Sequence, residues 1–89
     1  MSMLELVYYT RDRCPLCDEG MEQIKLALSE LRYSDVKMTA IDIDEDDALQ
    51  EVYMMRVPVL CHKSQVIQEG IIDFVYVYDY LKEYLGTIK

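Results

Sequence analysis

Between residues 4 and 43 the hydrophobic period of the sequence changes twice, and this constrains the fold more than any other feature. Residues 4–9 (LELVYY) combine aliphatic, β-branched and aromatic side chains, the composition of a strand. Residues 10–13 are polar and form a loop. From residue 15 to residue 32 the period becomes helical: Cys17, Met21, Ile24, Leu28 and Leu31 recur at steps of three and four and build one apolar stripe. Residues 36–43 (VKMTAIDI) return to a strand pattern, with Val36, Met38, Ala40 or Ile41, and Ile43 directed inward. Two strands separated by a helix make a βαβ unit, hence a parallel pair with a right-handed crossover.

The second half adds four elements. Residues 44–53 read as a short helix with Asp44 as its N-cap. Glu45, Asp46 and Asp47 complement the positive end of its dipole, and Ala48, Leu49, Val52 and Tyr53 form its buried face. Residues 58–62 (PVLCH) and 65–68 (QVIQ) are short strands whose two-residue connection, Lys63-Ser64, favours an antiparallel hairpin. Residues 71–85 carry two patterns at once. FVYVY alternates like a strand, but Ile71, Phe74, Tyr78, Leu81 and Leu85 fit a helical stripe over a longer span. Length decides for a helix, with Gly86 as its stop. The expected order β-α-β-α-β-β-α gives an α/β fold in one domain, residues 1–89: a four-stranded mixed sheet with helices on both faces.

Charge narrows the function classes. Nine Lys and Arg stand against 17 Asp and Glu, a net charge of −8. Such a surface repels a phosphate backbone and anionic lipid, so neither nucleic acid nor a membrane is an expected partner. No apolar run reaches the ~20 residues of a membrane span. The start, Met1-Ser2-Met3-Leu4-Glu5, lacks the basic and apolar segments of a secretory leader. A cytoplasmic location is expected, where the three cysteines are reduced or cycle.

The chemistry centres on Cys14-Pro15-Leu16-Cys17, between the first strand and its helix. Pro15 has a fixed φ and no N–H, which suits the first helical turn. Cys14 then occupies the helix N-terminus, where free N–H groups and the dipole favour a thiolate. Cys17 lies about one turn further, within disulfide reach. The more exposed Cys14 is expected to attack and the more buried Cys17 to resolve. A zinc site is the structural alternative, with Cys61 and His62 as the other ligand pair. Adjacent residues on a strand point to opposite faces, which argues against a shared metal. An odd cysteine count also speaks against a purely structural disulfide framework.

The run Tyr9-Thr10-Arg11-Asp12-Arg13-Cys14-Pro15-Leu16-Cys17 resembles the active-site segment of glutaredoxins, within the thioredoxin superfamily. Arg56-Val57-Pro58 is similar to their threonine-valine-proline motif, and Glu69-Gly70 to their double-glycine motif. The order of elements matches along nearly the whole chain, and the likeness is greatest to small glutaredoxin-like proteins with a CPLC site. The resemblance implies a thioredoxin-like (glutaredoxin) fold and a thiol–disulfide oxidoreductase with Cys14 and Cys17 as its catalytic couple. It implies a cis Pro58 beside the nucleophile and a Val57 backbone that pairs with substrate. It places Arg11 at the family's basic glutathione-binding position and Gly70 in the glycine motif. No tightly bound cofactor is implied; glutathione is a possible co-substrate. The implied partners are disulfide-containing or glutathionylated proteins, with glutathione or a reductase as electron donor, and a monomer is expected. The alternatives in other classes are a non-catalytic redox-sensing or partner-binding module and a zinc-binding module.

The chain departs from the family pattern at particular positions. Glu69 replaces a glycine, and Ile71 and Ile72 stand where polar groups usually meet the γ-glutamyl end of glutathione; Asp73 falls one residue late. Leu16 replaces the usual aromatic. Three of the four arginines, Arg11, Arg13 and Arg56, lie in or beside the two motifs, where they would stabilise a thiolate and attract an anionic substrate. Asp12, Asp18, Glu19 and Glu22 oppose them. Asp42, Asp44 and Asp46 resemble the start of a calcium loop, but the required glycine is missing and Tyr53 stands at the final glutamate, so capping explains them better. Cys61 reads as a small core residue, His62 as a strand-end residue, and Tyr76, Tyr78, Tyr80 and Tyr84 as packing around the last helix with their hydroxyls outward.

Overall fold

The computed structural model describes residues 4–87. Strand β1 (Leu4–Thr10) leads into helix α1 (Pro15–Leu31) and strand β2 (Val36–Asp42). A 3-10 turn (Ile43–Glu45) and helix α2 (Asp47–Tyr53) follow, then strands β3 (Val59–His62) and β4 (Gln65–Glu69) and helix α3 (Phe74–Thr87). The strands lie in the order β2-β1-β3-β4. β1 runs parallel to β2 and antiparallel to β3, and β3 antiparallel to β4, so the sheet is mixed. The hairpin turn Lys63-Ser64 has φ of 53° and 65°, the two left-handed residues of a tight primed turn.

One sheet face carries the main core. Leu4, Leu6 and Tyr8 of β1 and Leu60 of β3 pack with Ile24 and Ala27 of α1 and Val77 and Leu81 of α3. Val59, Leu60, Cys61 and His62 are all buried, because β3 is central and covered on both sides. The other face is covered more thinly. There the ring of Tyr53, at the end of α2, stacks on Tyr9 with centroids 4.3 Å apart.

Several expected boundaries shift for identifiable reasons. Residues 44–53 are not one helix. The Asp42 carboxylate accepts from the Asp44 N–H at 2.9 Å and caps the 3-10 turn, while Asp46, not Asp44, caps α2 by accepting from the N–H groups of Ala48 and Leu49. α2 buries no residue fully, and Ala48 and Val52 face solvent. The last helix begins at Phe74 rather than Ile71. Asp73 caps it by accepting from the Tyr76 N–H at 3.1 Å, and the Gln23 side chain on α1 takes the Phe74 N–H at 3.0 Å. Its buried stripe is accordingly centred on Val77 and Leu81, with Ile71 exposed and Ile72 buried. Gly86 lies inside this helix and does not end it.

His62 projects from β3 toward α3. Its Nδ1 lies 3.1 Å from the Tyr80 hydroxyl, and its ring meets Tyr84 edge-on with centroids 4.4 Å apart. The Tyr80 hydroxyl therefore points inward, contrary to the outward placement expected for it. Burial lowers the His62 pKa below its ordinary 6.5, and the neighbouring Lys63 adds to this.

Gly20 sits in the middle of α1, where glycine ordinarily costs about 1 kcal/mol relative to alanine. The reason lies across the interface. A Cβ at this position would collide with the Tyr8 hydroxyl and would lie 2.9 Å from Cγ1 of Ile72. Gly20→Ala is therefore expected to destabilise by about 1–3 kcal/mol, the range for overpacking, despite the gain in helix propensity. On a Tyr8→Phe background, which lacks the obstructing oxygen, the cost should be smaller; urea unfolding of the four proteins of the cycle measures it. His62 supplies a second test. The unfolded chain binds its proton more readily, so stability should fall as pH drops below about 6.5 toward the lower folded value. As the one histidine it dominates that window, with a ceiling of about 1.4 kcal/mol per pH unit for one proton. Unfolding midpoints at pH 7 and pH 5.5 should differ less in His62→Gln than in the wild type.

Candidate active site

The sheet register gathers the loops that carry the chemistry at one end. Tyr9 pairs with Ile41 on one side and Val59 on the other, and Val59 pairs with Glu69. Just beyond this row lie the segment after β1 with Arg11, Arg13 and Cys14, the acidic segment after β2, Val57-Pro58 before β3, and Gly70-Ile71 after β4.

Cys14 is the N-cap of α1, in an extended conformation with φ −122° and ψ 93°, and Pro15 opens the helix. The Cys14 Sγ accepts from the Cys17 N–H at 3.1 Å. Its carbonyl accepts from the N–H groups of Cys17 and Asp18 at 3.0 and 3.1 Å. One backbone donor, the Cys17 N–H, thus points at the atom where a thiolate would form, at the positive end of the helix dipole. Cys14 and Cys17 are joined in a disulfide with their Cα atoms 5.1 Å apart. Cys14 is half-buried, whereas Cys17 is 1% exposed.

Beneath the pair, the buried Tyr8 hydroxyl donates to the Cys17 carbonyl at 2.7 Å. Burial pushes its phenol above the ordinary range, with the Asp18 carboxylate adding to the shift, so the proton stays in place to be donated. Gly20 leaves room for this contact. Neither Tyr8 nor Gly20 was identified from the sequence as belonging to the site. The available signal was an isolated glycine in a helical stripe, which marks a close approach.

The Val57–Pro58 peptide bond is cis and Pro58 is buried. Gly70, with φ +81°, donates its N–H toward the carbonyls of Pro58 and Arg56 at 2.8 and 3.1 Å, tying the end of β4 to the proline segment. Only a residue that tolerates positive φ serves here without strain.

The three arginines have different surroundings. Arg11 holds Asp44 through two bonds, Nη2–Oδ1 at 2.9 Å and Nε–Oδ2 at 3.3 Å, and Gln50 donates to the same carboxylate at 2.8 Å. The Gln50 and Arg11 hydrogen bonds lower the Asp44 pKa. Arg56 grips Glu69 with Nη2–Oε1 at 2.7 Å and its Nε 3.2 Å from both oxygens, while its guanidinium lies 5.0 Å from the Tyr53 ring centroid. That bond to Arg56 lowers the Glu69 pKa and raises that of Arg56. Arg13 is exposed in the left-handed region, φ 55°, and makes no ion pair among the described residues. Asp73, one residue late against the glutaredoxin pattern, is engaged as the cap of α3.

Cys61 and His62 belong to opposite sides of β3. His62 meets Tyr80 and Tyr84, while Cys61 lies near Arg56 and Glu69, its thiol pushed up by burial. Among the described residues no group of three or more Cys, His, Asp or Glu is placed to hold a metal ion. No helix among them is long and apolar enough to cross a membrane.

A strand ending in a CPLC disulfide at the start of a helix, on a four-stranded mixed sheet, defines a protein of the thioredoxin superfamily. Residues 5–82 match the family described as Glutaredoxin-like domain (DUF836), and the chain belongs to that family. Among solved structures it is similar to target protein XcR50 from X. campestris, with 32% identity, TM-score 0.68, and coverage of 88% of this chain and 96% of that one. A mutant thioredoxin from Halobacterium salinarum aligns at 26% identity and TM-score 0.59, covering 91% of this chain and 74% of its own. Thioredoxin 1 from Thermosipho africanus shares the fold at 19% identity and TM-score 0.63, with 94% and 97% covered. No curated protein matches the sequence.

The unequal exposure of the cysteines has a direct chemical consequence. After reduction and a short pulse of iodoacetamide on the folded protein, label should appear on Cys14 first, with Cys17 and Cys61 following at least about tenfold more slowly, because the reactive thiol is the accessible thiolate. Peptide mass spectrometry assigns the sites; equal labelling of the three would contradict the geometry.

Proposed function

We propose that this protein is a thiol–disulfide oxidoreductase that reduces protein or mixed disulfides with its Cys14/Cys17 couple. The observation that carries this reading is the arrangement of one accessible and one buried cysteine in a disulfide at the N-terminus of α1. In the reduced form the Cys14 thiolate attacks one sulfur of a substrate disulfide. A Cys14–substrate bond forms, the substrate S–S bond breaks, and the other sulfur leaves as thiolate. Cys17 then attacks Cys14 Sγ, expels the remaining substrate thiolate and closes the Cys14–Cys17 bond. Two electrons have passed from the protein dithiol to the substrate. An external thiol donor, either two glutathione molecules or the dithiol of a reductase, returns them.

The other residues have supporting roles in this reading. The helix N–H groups lower the cost of the thiolate. Val57 offers its backbone to the substrate chain beside Pro58, and Gly70 holds that segment in place. Arg13 is the cation available to an anionic group near Cys14. The cycle needs one protomer and no resident cofactor, and it suits a reducing compartment such as the cytoplasm.

Cys17→Ser should accumulate covalent adducts through Cys14, because the resolving thiol is gone. Cys14→Ser should form none and should lose turnover by at least about 10³-fold, as expected when a covalent nucleophile is removed. Non-reducing electrophoresis with mass spectrometry, alongside a coupled disulfide-reduction assay, reads both. A wild type without turnover and a Cys17→Ser variant without adducts would favour the redox-sensing module instead.

A further inference from the structure

The arginines around the cysteine pair are engaged by the protein's own carboxylates. Arg11 and Arg56 each present two donor atoms to one carboxylate, the fork geometry in which guanidinium recognises an anion. One bidentate side of each guanidinium, Nε with Nη2, is thereby taken, and its charge is balanced by the bound carboxylate. The rest of this end of the sheet is mostly acidic: Asp42 ends β2, and Glu45, Asp46 and Asp47 follow it within a few residues of Asp44, against Arg13 after β1. Adjacent strands lie about 5 Å apart and the edge strands β2 and β4 three spacings apart, so the charges lie within about two screening lengths of one another. Apolar side chains are exposed in the same segments: Leu16 is 46% exposed, Met55 89% and Ile71 70%.

We propose that Asp44 and Glu69 set the substrate class of the cysteine pair. By holding Arg11 and Arg56 they leave an acidic, partly apolar rim. It accepts disulfides carried on neutral or basic polypeptide segments and disfavours anionic ones such as glutathione disulfide. This rests on the oxidoreductase reading and adds its selectivity. The discrimination acts on the first exchange, as the disulfide approaches the Cys14 thiolate: beyond Arg13, a negative group gains a cation only by competing with Asp44 or Glu69 for its guanidinium, and it otherwise lies among like charges. A lysine or arginine beside the substrate cysteine meets carboxylates instead, and apolar residues find Leu16, Met55 and Ile71.

The test uses the full chain, reduced and freed of reductant, in single turnover. The probes are two synthetic peptide disulfides, identical except for Lys or Glu flanking the cysteine, and glutathione disulfide. Each rate is divided by that of dithiothreitol with the same probe, which removes the intrinsic reactivity of the disulfide. The wild type should prefer the Lys peptide over the Glu peptide by about tenfold or more at low salt, and the ratio should collapse toward one in 0.5 M salt. In Glu69→Gln and Asp44→Asn, the rate with glutathione disulfide relative to the Lys peptide should rise by about 3–10-fold, as a carboxylate is removed and its arginine released. Far-UV circular dichroism checks that the variants are folded, and the wild-type ranking with its salt dependence stands as a test without them. A wild type that reduces all three probes without charge preference, or folded variants with an unchanged ratio, overturns this inference alone. A wild type that reduces none overturns the oxidoreductase reading and this inference with it.

Discussion

The site depends on how closely α1 can approach β1. The Tyr8 hydroxyl reaches past Gly20 to the Cys17 carbonyl at 2.7 Å, and any side chain at Gly20 would stand in its way. This one buried bond sets the first turn of the helix against the sheet. It puts Cys17 inside the protein and leaves Cys14 at the surface as the helix cap. An unpaired phenol would be costly at this depth, so the contact is satisfied or the packing fails. The asymmetry of the two thiols, on which any ordered exchange relies, follows from this packing and not from the CPLC motif alone.

Electrostatics gives a different result from a count of arginines. Three of four arginines near two motifs suggest a basic site in an acidic protein. In the folded chain two of them are bound to Asp44 and Glu69, and the acidic segment after β2 lies at the same end of the sheet. These pairs are exposed and contribute little to stability. They settle where the guanidinium groups point. Arg56 in particular is drawn toward Tyr53, Glu69 and the side of β3 that carries Cys61. Glu69, which stands where glutaredoxins have a glycine, is the reason.

The parts of the fold legible in the sequence are those written in hydrophobic period and local chemistry. The βαβ unit, the order of elements, the hairpin at Lys63-Ser64 and the place of Cys14 at a helix start all rest on neighbours in sequence. The parts that were not legible depend on partners far away in the chain. Asp42 and Asp46 divide the capping expected of Asp44 because Asp44 is taken by Arg11, 33 residues earlier. The start of α3 moves to Phe74 because Gln23, 51 residues away, accepts its N–H. The stripe of α3 then rotates onto Val77, which a pattern counted from Ile71 omits. Gly86 carried a stop signal that the helix overrides. Within the site, the cysteines were legible, whereas Tyr8, Gly20 and the carboxylates that hold the arginines emerge only once strands and helices are side by side.

In the proposed exchange the two steps are governed by different parts of the molecule. The first bond would form at Cys14, at the rim, where long-range charge and the exposed side chains of Leu16, Met55 and Ile71 would act on an approaching substrate. The second would be made by Cys17 from inside the protein, where the Tyr8 contact governs its position. A change at the rim should alter which disulfides are captured and leave the resolution step alone. A change at Tyr8 or Gly20 should alter resolution for every substrate alike. In that reading selectivity rests on exposed residues such as Glu69, while the position of the resolving thiol rests on the buried packing under Cys17, where a change also costs stability.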